Sequence, residues 1–127
     1  YRKVGDEFIA DDFAHEQSIV FETEKGLVIF NSCSHGGIAN IVREVQNAFA
    51  GKKIYAVIGG FHMMKLSGMD TLAIPEEEVV ETAQELKGLG VEEIYTGHCT
   101  GNIAFRILKK ELGEMVHALG TGETVVF

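Results

Sequence analysis

The chain has 127 residues, 46% hydrophobic and 24% charged, the size and balance of one domain that can bury a core, and no apolar run approaches the ~18 residues of a membrane-spanning helix. Eleven Lys+Arg against nineteen Asp+Glu, a net charge of −8, oppose extensive contact with nucleic-acid phosphates or anionic lipid and leave a small-molecule substrate or a protein partner. Two cysteines and the lack of a signal-like opening exclude a disulfide scaffold and point to a reducing cytoplasm.

In chain order, residues 1–17 show no sustained period and read as an irregular lead-in, acidic at Asp6-Glu7 and Asp11-Asp12. Ile19-Val20-Phe21-Glu22-Thr23 and Leu27-Val28-Ile29-Phe30 are rich in β-formers around the turn Glu24-Lys25-Gly26, which predicts a hairpin. Ile38, Ile41, Val42, Val45 and Phe49 recur at helical spacing, with Gly51 as the expected C-cap. The run 54–58 predicts a buried strand ending in Gly59-Gly60. Residues 61–75, with three methionines and no period, suggest a mobile or partner-covered loop. Pro75, expected at the first helical position, and Glu76-Glu77-Glu78 open a helix ended by Gly88 and Gly90. A strand at 91–95, a helix at 102–112 and one or two final strands complete a single α/β unit over 1–127.

Three of the five histidines follow strands. His35 lies in Cys33-Ser34-His35-Gly36-Gly37, His62 in Gly59-Gly60-Phe61-His62, and His98 in Gly97-His98-Cys99-Thr100-Gly101. Loops leaving the carboxyl ends of α/β strands collect on one edge, where ligands bind, so three imidazoles converge there. Imidazole both coordinates zinc or iron and transfers protons near neutral pH. Cys33 and Cys99 each sit beside one of these histidines, where packing and a role at the site remain equal alternatives. His117, inside a terminal apolar strand, reads as structural, and His15 stands just before the first hairpin strand.

The segments Asp11-Asp12-Phe13-Ala14-His15-Glu16-Gln17, Cys33-Ser34-His35-Gly36-Gly37-Ile38, Gly59-Gly60-Phe61-His62 and Tyr95-Thr96-Gly97-His98-Cys99-Thr100-Gly101 together resemble the carboxy-terminal half of a metallo-β-lactamase-fold hydrolase, in the branch that includes the dihydropterin-ribofuranosyl-aminobenzene phosphate synthase-like proteins. The resemblance implies an αββα sandwich with one or two metal ions, usually zinc, sometimes iron or manganese, and metal-bound hydroxide attacking an ester or phosphoester-type bond. It matches His98 to the late metal-ligand histidine and puts His35 or Cys33 at the position that commonly bridges two metals. Asp12 and His15 fall near the mid-chain ligand, and His62 at the catalytic rim. The superfamily's His-x-His-x-Asp-His signature does not occur in this sequence. The resemblance therefore implies a partial domain beginning at Tyr1, expected to be inactive and a poor metal binder alone. Its uncovered sheet would meet the missing amino-terminal half or a second copy.

Two other readings stand beside it. Gly36-Gly37 and Thr100-Gly101 could serve a non-catalytic module as backbone-amide cradles for an anion, or support protein binding. His98-Cys99 before a helix is the start of a thiol-phosphatase loop, but Arg106 follows the cysteine after six residues instead of five.

Overall fold

The computed structural model describes residues 1–127 and comprises a small hairpin and a five-stranded mixed sheet with helices. The hairpin pairs β1 (Arg2–Val4) with β2 (Glu7–Ile9). The lead-in is thus not irregular throughout. Its strands are three residues long, too short for a period to register, and they turn at Gly5, whose φ of 62° suits glycine.

The main sheet follows chain order, β3-β4-β5-β6-β7. β3 (Ser18–Thr23) pairs antiparallel with β4 (Gly26–Cys33), and β5 (Ile54–Gly60), β6 (Glu93–Thr96) and β7 (Val116–Ala118) follow in parallel. Every parallel step advances the same way across the sheet. Right-handed crossovers then put all connecting helices on one face. These are α1 (Ile38–Ala48), α2 (Glu76–Gly88) and α3 (Asn102–Leu112).

Beneath the helices Leu27, Ile29, Ile54, Val57, Ile94 and Val116 pack against Ile38, Val42, Val79, Leu86 and Leu108. Each such fully buried aliphatic contributes roughly 1.5–3 kcal/mol. The other face carries Val28, Ala56 and Ile58 with Tyr55, Tyr95 and Phe127 packed against them. Towards its β3 edge Ile19 and Phe21 are 61% and 55% exposed. The register sets Ile19 opposite Phe30 and Phe21 opposite Val28, so these apolar side chains share one face.

The helix at 76 begins one residue later than expected. Pro75 is its N-cap, with ψ at 149°. Gly51 lies beyond the actual C-cap, Phe49. The loop 61–75 is anchored: Phe61 and Met63 are buried, and the N–H groups of Met63 and Met64 donate to the Cys99 carbonyl at 2.9 and 3.1 Å. One strand, β7, closes the sheet. There His117 Nε2 lies 2.6 Å from Glu93 Oε2, and its ring stacks on Tyr95, in keeping with its structural reading.

Candidate metal centre at the carboxyl edge of the sheet

Because β4, β5 and β6 are parallel neighbours, their outgoing loops lie side by side. Cys33 ends β4 opposite Gly60, the last residue of β5. Cys99 arrives from the turn after β6 and covers Gly60, where an added Cβ would meet Cys99 Sγ at 2.5 Å and the Ser32 carbonyl at 3.0 Å. With no side chain between them the two sulfurs stand 3.1 Å apart. The His62 N–H donates to Cys99 Sγ at 3.2 Å. Ligand atoms of Cys33, His62 and Cys99 all lie within 4.8 Å of one another.

Hydroxyls and backbone groups hold this edge in place. Thr96 Oγ1 donates to the Gly59 carbonyl at 2.8 Å, so the Thr100 hydroxyl donates to Thr96 at 2.6 Å and accepts the Phe61 N–H at 2.9 Å. Ser34 ties β4 to β5 through the Gly60 carbonyl, which accepts both its N–H and its hydroxyl at 2.9 Å. His62, His98 and Phe13 take φ values of 52°, 48° and 53° and are the only non-glycine residues with positive φ. All three belong to this edge or to the segment against it. Backbone strain of roughly 1–3 kcal/mol per such residue is typical of functional sites.

The electrostatics suit a cation. Burial, and next the hydrogen bond with Cys33, push the Cys99 thiol up to about 11, so without a positive charge it stays protonated. Burial first, then the nearby His35, hold the His62 imidazole below its ordinary value, which keeps a nitrogen lone pair free near neutral pH. Two thiolates and one imidazole are a zinc-type donor set with a fourth position open. Tetrahedral zinc with sulfur at about 2.3 Å separates two sulfurs by roughly 3.8 Å. Cys33 and Cys99 would part by only roughly 0.7 Å to reach that spacing, so the residues present fit a metal.

Of the residues singled out from the sequence, the structure brings Cys33 and His62 together with Cys99, whose place at the site the sequence had left open. His35 lies just outside the group, its ring 4.0 Å from that of His62 and stacked on Phe13 at 5.8 Å. His98 is exposed and outside the group. Asp12 lies 3.7 Å from Arg2. Its carboxyl is held below the usual range by the Ala14 N–H and then by Arg2. His15 is exposed, 3.9 Å from Asp11. A cleft of about 660 Å³ opens beside Cys33 and His35, with Ile19 and Phe30 among its lining residues.

Glu16 was not visible as a site residue in the sequence, where it is one acid in an acidic segment. Its two carboxylate oxygens accept the N–H groups of His35 at 2.7 Å and Gly36 at 3.0 Å. Of the two amides that the anion-cradle reading needs here, that of Gly36 is thus taken by Glu16, and that of Gly37 donates to the Ser34 carbonyl at 3.0 Å. At the other proposed cradle Thr100 N–H and Gly101 N–H already donate to Gly97 and His98 carbonyls. The thiol-phosphatase reading gains no support at Cys99, whose thiol is pushed up by burial where that chemistry needs it lowered.

A mixed sheet with helices on one face and cysteine and histidine donors at its carboxyl edge has the α/β architecture of the metallo-β-lactamase fold. The crystal structure of Tm1679, described as a metal-dependent hydrolase of the β-lactamase superfamily, matches with a TM-score of 0.84 and 31% identity over 98% of this chain and 45% of that one. Over all 127 residues the chain is 35% identical to the 7,8-dihydropterin-6-methyl-4-(beta-D-ribofuranosyl)-aminobenzene-5'-phosphate synthase of Methanocaldococcus jannaschii, of which it covers 40%. The solved structure agrees with the superfamily, and the synthase with the branch, that the motifs resemble. The chain spans less than half the length of each. No protein-family model matches it. No helix is long and apolar enough to cross a membrane.

Proposed function

We propose that this chain is part of a metal-dependent hydrolase that cleaves an ester or phosphoester-type bond, with Cys33, Cys99 and His62 as metal donors. The observation that carries the reading is the convergence of these three side chains within 4.8 Å at the carboxyl edge. The metal, when bound, supplies Lewis-acid activation of water and of the scissile group's oxygen. Zinc suits the sulfur and nitrogen donors best, with iron the next choice.

The chain's own residues position and shield. The threonine pair fixes the turn that carries Cys99, and Glu16 fixes the loop that carries His35. His35, stacked on Phe13 and tilted against the His62 ring, lines the cleft as a group able to hold or move a proton. His98, Asp12 and His15 remain candidate ligands by family resemblance, for a second ion or for a rearranged loop. The exposed face around Ile19 and Phe21 is where the rest of a two-sheet sandwich, or a second copy of the chain, would pack.

The test is hydrolysis of p-nitrophenyl esters and phosphoesters by the chain alone and by a longer protein that supplies the other sheet. The longer protein should turn over substrate only with metal present, should lose activity to a chelator, and should lose about 100-fold or more on Cys33→Ala, as removal of a metal donor implies. Activity that survives both the chelator and the substitution would sink the assignment.

A further inference from the structure

We propose that Cys33 and Cys99 form a reversible disulfide that disarms the metal centre. Both cysteines are free. They are 66 residues apart in the chain, yet their sulfurs stand 3.1 Å apart over the bare Cα of Gly60. A disulfide requires about 2.05 Å, an approach of roughly 1 Å, so both end states of this pair lie within a small movement. Parting by a similar amount admits a metal, and closing makes the bond.

A peroxide is the oxidant class that fits. Cys33 is the more exposed of the two and is the sulfur it reaches first. The peroxide O–O bond breaks and an S–O bond forms at Cys33, giving a sulfenic acid and one water. The Cys99 sulfur, supported by the His62 N–H at 3.2 Å, then attacks the Cys33 sulfur. The S–S bond forms, the S–O bond breaks, and hydroxide leaves with the Cys99 proton as a second water. Two thiols lose two electrons and two protons in all, and the peroxide gains them. A thiol reductant reverses the bond by exchange.

The bond removes two of the three donors, because a disulfide sulfur carries no thiolate charge for a metal. This consequence rests on the proposed metal reading, whereas the disulfide itself does not. The experiment treats the wild-type chain with hydrogen peroxide, with and without prior zinc, then alkylates with iodoacetamide under denaturing conditions and maps peptides by mass. Without zinc the expected result is a monomer lighter by two hydrogens, unalkylated, with the Cys33 and Cys99 peptides linked and released by dithiothreitol. Alkylation of both cysteines, sulfinic acid at Cys33 beside a free Cys99, or a cross-link between two chains would each overturn the proposal. Prior zinc should slow the linkage at least tenfold. If it forms equally fast with zinc, the disulfide stands and the metal assignment fails.

Discussion

The two ends of the same sheet are built differently. At the amino ends of β4, β5 and β6 the neighbours are a turn at Gly26 and exposed ion pairs, Lys52 with Glu22 and Lys53 with Glu92. Pairs of that kind contribute ~0–1 kcal/mol. At the carboxyl ends the same strands lead to two adjacent sulfurs, packed imidazoles and histidines with left-handed backbone. Nothing in strand formation requires that second arrangement, and it works against stability. Such a concentration of strain and donor atoms at one end of otherwise regular strands is the arrangement the proposed metal site requires.

Substitutions at the two ends should therefore differ in size. The largest effect is expected at Gly59, where φ is 152° and an added Cβ would run into the Asn31 carbonyl. Gly59→Ala should cost roughly 3 kcal/mol or more, read as a lower urea midpoint, and should open the edge it supports. A cost under ~1 kcal/mol would show that the edge is more pliable than described. Next is Glu16→Gln, which keeps the shape but replaces a charged double acceptor. A loss of about 1 kcal/mol, with faster amide exchange at His35 and Gly36, is expected. Unchanged exchange at both amides would mean that Glu16 does not hold the loop. The smallest effect belongs to the opposite end: Lys53→Ala should change stability by less than ~0.5 kcal/mol and leave metal uptake as it was. If Lys53→Ala cost as much as Glu16→Gln, the contrast between the two ends would be lost.

The strand and helix order was legible because β-former runs end in glycines and the helices show clean apolar spacing. The meeting of strand-end loops was legible too, since it follows from parallel neighbours. The β1–β2 hairpin was not, because three-residue strands carry no period. Cys99 could not be decided from sequence. Its partner lies 66 residues away, and what joins them is an absence, the missing side chain at Gly60, which sequence shows only as one glycine among fifteen. Glu16 was hidden for a similar reason: its partners are backbone amides, which every residue but proline has. Residues 61–75 looked mobile because their anchors, the Cys99 carbonyl above all, are backbone groups from another loop.

The central claim, that Cys33, Cys99 and His62 together hold a metal, is tested most directly by cobalt(II) titration followed by absorption spectroscopy. A partial domain was expected to bind metal poorly on its own, but three donor side chains within 4.8 Å lie in this chain, so the wild-type chain under reducing conditions should develop an intense thiolate-to-cobalt charge-transfer band with tetrahedral visible bands. The charge-transfer band should weaken in Cys33→Ser and in Cys99→Ser and vanish when both are replaced. A weak octahedral spectrum with no thiolate band, the same in the wild type and the double variant, would contradict the account.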